Sequence, residues 1–301
     1  QADKTLDNIV ATSGTTTISV SLAQTRTTLG SKGENGIYPV YWSEGDKICV
    51  NGTLSSDTTI DPNKPTYAEF QFNAELDYPL YISHSRSSIL NWSGAENWLN
   101  LSELICINPE QAEEVANSFQ SGYAPLYGIA EQQGDPITLQ HLGGILRLSV
   151  KAEDEVKTLS TITIKSTSGA SLSGLYLIND IVRHIYSKED LESMDITLSN
   201  GKITPYQINA DHIIYTCNTS KPLSVTKERR FYIVVPEGSH GLCHIELETT
   251  DGEKMLCAWN AKSIKAGVVK ESATLTFKAG GLEDVVFLQA LDSEQVNELE
   301  F

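Results

Sequence analysis

Thr16-Thr17-Ile18-Ser19-Val20-Ser21-Leu22 alternates polar and apolar residues from Thr17 onward. A strand points successive side chains to opposite faces, so Ile18, Val20 and Leu22 share one face. The same reading covers Tyr67-Ala68-Glu69-Phe70-Gln71-Phe72, Tyr78-Pro79-Leu80-Tyr81-Ile82 and Pro125-Leu126-Tyr127-Gly128-Ile129-Ala130. It continues in Ile145 to Val150, Thr161 to Ile164, His212 to Tyr215, Phe231 to Val235 and Ala273 to Phe277. Many short strands separated by turns predict β-sandwiches, not alternating β and α units.

Turn chemistry agrees. Asn200-Gly201 predicts a hairpin between Ile196-Thr197-Leu198 and Lys202-Ile203-Thr204. Thr250-Asp251-Gly252 suits a three-residue loop with Gly252 left-handed. That register sets Leu247 opposite Met255, Ile245 opposite Cys257 and Cys243 opposite Trp259. The two cysteines are then diagonal, a poor distance for a disulfide. Helical signals are few. Pro109 to Ala116, capped by Asn108, predicts one helix, and Ser187 to Glu192 a single turn.

A length of 301 residues suggests two domains. The predicted seam lies near Asp135-Pro136, where the N-terminal strand pattern restarts. It divides the chain into residues 1–137 and 138–301. Charged residues are only 20 %, so Ser, Thr, Asn and Gln carry solubility, and these favour strands and turns. The net charge of −17 repels nucleic acid and disfavours anionic membrane surfaces. No run approaches the ~20 apolar residues of a membrane-spanning helix.

Cys49, Cys106, Cys217, Cys243 and Cys257 are odd in number and lack metal-ligand spacing, so they read as buried free thiols, with a single disulfide as the alternative. His84, His141, His184, His212, His240 and His244 are scattered and read as surface or strand histidines. No G-x-S-x-G elbow is present, and Gly143-Gly144 inside a strand run points to a bulge or close backbone packing. These features predict no enzyme, cofactor or metal.

The order of segments resembles the fimbrillin family, the type V pilins and pilin-like surface lipoproteins of Bacteroidia. The matching pieces are Tyr41-Trp42-Ser43-Glu44-Gly45-Asp46-Lys47-Ile48 with Val50-Asn51-Gly52, and Pro125-Leu126-Tyr127-Gly128. They continue with Leu139-Gln140-His141-Leu142-Gly143-Gly144-Ile145-Leu146-Arg147-Leu148, Ile162-Thr163-Ile164 and Leu172-Ser173-Gly174. The resemblance implies two tandem transthyretin-like β-sandwiches. It implies export as a lipoprotein, with Gln1 following a lost lipidated cysteine, and a place at the outer membrane or in a surface pilus. It also implies proteolysis after an arginine near the end of the first strand. The groove so opened would take a strand from the next subunit.

The groove has a physical rationale of its own. A sandwich missing one strand exposes unpaired backbone groups above an apolar slot, and a donated strand satisfies both. Each backbone hydrogen bond adds about 0.5–1.5 kcal/mol net, and each buried Val, Leu or Phe roughly 1.5–3 kcal/mol. The same contact repeated head to tail makes a filament.

Four sets of residues are singled out on this basis. Arg26, the only arginine before Arg86, lies in the polar stretch Gln24 to Gly30 and is the expected processing site, with a solvated loop arginine as the alternative. Ile18, Val20 and Leu22 are the expected displaced strand. Glu283 to Leu291 reads either as a helix with Val286, Ala290 and Leu291 in a stripe or as a strand carrying Val285, Phe287 and Leu291 on one face. As a strand it is either a donor strand, extending through residue 301, or a last core strand. Trp92 and Trp98, in the polar stretch Leu90 to Trp98, either cap the core or stack on a glycan. The expected function is a pilus subunit or tip adhesin whose partners are other subunits. The alternative is a non-polymerising surface lipoprotein that binds glycan through its loops.

Overall fold

The computed structural model describes residues 9–12, 14–22, 28–29, 40–89, 98–285 and 287–288. Its first strands are β1 Ile9–Thr12, β2 Thr15–Leu22, β3 Thr28–Leu29, β4 Val40–Tyr41, β5 Cys49–Val50, β6 Thr53–Leu54 and β7 Asp57–Ile60. They continue with β8 Tyr67–Phe72, β9 Leu80–His84, β10 Leu104–Ile107, β11 Glu110–Ala112, β12 Leu126–Ala130 and β13 Thr138–His141. The next elements are β14 Gly143–Ala152, β15 Leu159–Ser166, β16 Ser173–Ile178, α1 Asn179–Ile185, α2 Lys188–Ser193, β17 Ile203–Ala210 and β18 His212–Thr216. The last are β19 Arg229–Pro236, β20 Gly241–Thr249, β21 Lys254–Ala261, β22 Val269–Ser272, β23 Leu275–Phe277, β24 Leu282–Asp284 and β25 Phe287–Leu288. The architecture is all-β, with its sheets packed as sandwiches.

The first sheet runs β6-β5-β9-β12-β13-β2-β8-β7, with β1 also paired to β2. Alternation decides its inner face. Thr16, Ile18, Val20 and Leu22 of β2 are buried, as are Ala68, Phe70 and Phe72 of β8. All of these but Thr16 join Ile48, Val50, Leu80, Ile82, Leu126 and Leu139 in one core.

A second core lies between two further sheets. One runs β19-β14-β22-β25, with β23 also on β14; the other runs β11-β18-β15-β20-β21-β24. Leu146, Leu148 and Val150 of β14 share this core with Ile162, Ile164, Ile245, Leu247, Met255 and Trp259. A small sheet, β10-β16-β17, carries α1 and α2. There Leu104, Leu177 and Val182 pack with Tyr186, Leu191 and Tyr206.

Residues of the first core span 18 to 139, and those of the second span 105 to 285. The overlap has a cause. β10 and β11 precede the expected seam, yet β10 pairs with β16 and β11 runs parallel to β18. The chain leaves the first sheet after β9 and returns in β12.

This excursion overturns the helix expected over Pro109 to Ala116. Gln111 is buried and forks onto one residue of β19. Its Nε2 donates to the Val234 carbonyl at 2.8 Å, and the Val234 N–H donates to its Oε1 at 2.9 Å. Glu113 meets Arg229 and accepts from the Asn218 N–H at 2.9 Å. Extended backbone serves these partners, and tertiary contacts outweigh the helix signal. The Asn200-Gly201 hairpin is also absent. Residues 196–202 form no strand; Asn179 Nδ2 instead bonds the Gly201 carbonyl at 2.7 Å.

Other local expectations hold. The β20–β21 ladder pairs Leu247 with Met255, Ile245 with Cys257 and Cys243 with Trp259, and Gly252 has φ +85°. Residues 188–193 form α2, with Ser187 as N-cap in a capping box with Asp190. Gly143 and Gly144 mark close backbone packing, since a Cβ there would lie 2.9 Å from the Val235 carbonyl and 2.6 Å from Ile264 Cγ2 respectively. Gly174 sits at the irregular step of the β16–β17 ladder with φ +115°, where a Cβ would come within 2.1 Å of the Ile208 carbonyl. Gly174→Ala should therefore lower stability by about 2–5 kcal/mol, through strain and overpacking together, as measured by urea unfolding.

Candidate functional site

The candidate site is β2 and the slot that it fills. β2 is a mid-sheet strand: it pairs antiparallel with β8 along Thr16 to Ser21, and parallel with β13 at Ser21 and Leu22. β1 pairs with its first half, on the edge that β13 takes farther along. The Ser21 N–H donates to the Ile137 carbonyl and the Leu22 N–H to the Thr66 carbonyl, both at 2.9 Å. Ile18 and Val20 are fully buried and Leu22 is 6 % exposed. Without β1 and β2, β8 and β13 would face each other across an apolar slot, each with an unpaired edge. Arg26 lies outside the described residues, between the end of β2 and the start of β3.

The C-terminal stretch lies on the second core. β24 runs parallel to β21, and β25 runs antiparallel to β22. One short segment thus borders both sheets. Val285, between these strands, is 8 % exposed and belongs to the second core. Its N–H donates to the Ala258 carbonyl at 2.8 Å. Phe287 is placed in β25 by its backbone, and Leu291 lies outside the described residues.

Trp98 is 6 % exposed. The His84 ring lies 5.0 Å from it and the Arg86 guanidinium 5.5 Å, so this ring offers a sugar little surface. Trp92 lies outside the described residues. All five cysteines are free and buried. Burial pushes the Cys49 and Cys243 thiols up to about 11, and Cys106, Cys217 and Cys257 up to about 12, which keeps them from acting as thiolates. Among the described residues no group of three His, Cys, Asp or Glu could hold a metal ion, and no helix is long and apolar enough to cross a membrane.

Two histidines follow the strand half of the surface-or-strand reading and are buried in the first sheet. His84 is 1 % exposed and His141 is 5 % exposed. Both belong to one row of the first sheet, where Leu126 is the partner of His84 on one side and of His141 on the other. The signal was present in the sequence, since His84 follows Leu80 and Ile82 at period two and His141 follows Leu139.

The chain is similar to cell-adhesion and fimbrial proteins of known structure. One is a candidate cell adhesion protein of Bacteroides ovatus, at 12 % identity over 90 % of this chain and 94 % of that one, with a TM-score of 0.46. Another is a candidate cell adhesion protein of Bacteroides uniformis, at 9 % identity over 91 % and 95 % of the two chains, with a TM-score of 0.44. A third is a tip fimbrial protein of Porphyromonas gingivalis with a C-terminal truncation, at 9 % identity over 90 % and 98 %, with a TM-score of 0.34. No family model and no curated protein matches the sequence. With TM-scores below 0.5, the all-β assignment rests on the strand ladders themselves.

Proposed function

We propose that this chain is a non-enzymatic surface protein, a pilus subunit or tip adhesin, that joins other subunits by β-strand addition. The observation that carries the reading is β2. It lies inside the sheet, its apolar face is buried, and its end leads into the polar stretch that holds Arg26. The domain division at 137/138, an exported location at the outer membrane or in a pilus, and a role for Val285, Phe287 and Leu291 as donor residues belong to the same proposal.

The energetics explain why a cut would matter. Ile18, Val20 and Leu22 in the slot contribute roughly 5–9 kcal/mol together. A donor strand with similar side chains regains about the same amount, so exchange is near neutral. The resident strand wins while it is tethered, because its effective concentration is at least millimolar. Cleavage after Arg26 removes the tether, and the freed peptide dilutes away.

The test is limited digestion with a trypsin-like protease, followed by mass spectrometry and electron microscopy. The expected result is release of a fragment containing residues 15–22, then filaments or uptake of a synthetic strand peptide. Arg26→Ala should block both. An Arg26→Ala protein that is cut and assembles as readily as the parent would overturn the processing role. A cut protein that takes up no strand would overturn strand addition.

A further inference from the structure

The first sheet holds two ionisable rings in its interior that the proposed function does not use. His84 and His141 stand in one cross-strand row with Leu126 between them. Two ladder spacings separate their backbones, about 9–10 Å. Each ends a strand at a place where the chain crosses between the cores. His84 closes β9 before the excursion to β10, and His141 closes β13 just before β14.

The surroundings of both rings suit the neutral form. His84 Nδ1 donates to the Lys47 carbonyl at 2.7 Å, so Nε2 is the bare nitrogen of the neutral ring. Trp42 and Trp98 enclose that ring, with centroids 5.3 Å and 5.0 Å away. The Nε2 atoms of His84 and His141 are both buried without a hydrogen-bond partner among the described residues. A proton added at either atom would create a charged donor facing no acceptor, which buried polar groups rarely tolerate.

We propose that His84 and His141 form an acid-sensitive latch in the first sheet, which loosens β9, β12 and β13 as the solution is acidified. Burial lowers His84 most; the Asp46 carboxylate and the Lys47 carbonyl oppose this, while Arg86 adds to it. Burial pushes His141 down to about 3, and the nearby His84 and Lys202 deepen the shift. An indole face can attract an imidazolium, but desolvation of a fully buried ring is the larger effect.

The sign follows from linkage. The folded pKa of both rings lies below the unfolded value of about 6.5, so the opened sheet binds more protons than the closed one. Stability is complete above pH 6.5. It falls as the pH drops below that value, down to about 3 for His141. Within this window His141 makes opening roughly tenfold easier per pH unit, and His84, whose pKa is also lowered by burial, adds to the effect. β13 also borders β2 at Ser21 and Leu22, so the loosened region reaches one edge of the slot.

The test uses the full chain. Amide hydrogen exchange, corrected for intrinsic rates, is compared between pH 6.5 and 5.0. Amides of residues 80–84, 126–130 and 138–141 should lose protection by tenfold or more per pH unit, while those of 159–166 and 243–249 hold. His141→Leu should reduce the slope to that of one histidine. If that variant fails to fold, the parent decides by NMR, where the His141 ring should stay neutral throughout this range. A His141 ring that titrates near 6.5, or protection that is the same at both pH values, would overturn the latch. Neither readout involves cleavage or assembly, so the outcome is independent of the strand-addition proposal.

Discussion

Val20→Asp should unfold the first sheet and leave the second core intact. Val20 is fully buried in a face made by Ile18, Phe70, Phe72 and Leu139. A carboxylate there must lose its water or take up a proton, and either costs several kcal/mol. The lost valine burial adds roughly 1.5–3 kcal/mol. Together these approach the whole stability of a small domain, about 5–15 kcal/mol. The second core should survive because no residue between 98 and 124 belongs to the first core, and the excursion pairs with strands of the second. Calorimetry of the parent should show two transitions, and the variant should keep one. Protection of amides 159–166 and 243–249 should be unchanged. Loss of both transitions would mean one cooperative unit and would remove the proposed division at 137/138. Thr17→Asp is the control, because Thr17 points away from the core beside Gln71 and should cost little.

Period-two runs were the most legible feature, and the physical reason is simple. Wherever one face of a strand is wet, as in β2, β8 and β15, alternation records it directly. The Thr250-Asp251-Gly252 loop was equally legible, because one glycine fixes the register of the whole β20–β21 ladder. Two signals misled. Asn108-Pro109 followed by acids looks like a helix start, but Gln111 and Glu113 are committed to Val234 and Arg229, more than 100 residues away. A partner that distant leaves no local trace. Asn200-Gly201 looks like a hairpin turn, but its loop is held by the Asn179 side chain from α1.

The candidate site divides in the same way. The buried face of β2 was readable residue by residue, as were the period-two positions that bury His84 and His141. That these two rings share a row was not readable, since register between β9, β12 and β13 depends on strand order. The position of Val285 between two sheets was hidden for a related reason. Its neighbours on β21 and β22 come from one chain segment, but the path of the chain between the sheets is set by three-dimensional packing.

That position sharpens the expected outcome of cutting the C-terminus at two places. Removal of residues 283–301 takes away Val285, the end of β24 and all of β25. Burial of Val285 stabilises the second core by roughly 1.5–3 kcal/mol, and each lost backbone hydrogen bond subtracts about 0.5–1.5 kcal/mol more. The Val285 N–H bond to Ala258 and the pairings of β24 and β25 bring the expected loss to roughly 3–7 kcal/mol. Thermal melting should show the second transition lowered by about six degrees or more, at ~2–8 °C per kcal/mol. Removal of residues 289–301 alone keeps β24, Val285 and β25 and should leave that transition within a few degrees of the parent. The shorter cut is the test of donation. If Leu291 enters a neighbouring subunit as proposed, the shorter truncation should melt normally yet fail to donate a strand to a protease-treated partner. If it donates as well as the full chain, Leu291 has no part in the exchange. If the longer truncation melts like the parent, Val285 is not held by its own core as strongly as its burial implies. The segment would then be free to leave at little cost, which is what a donor strand requires.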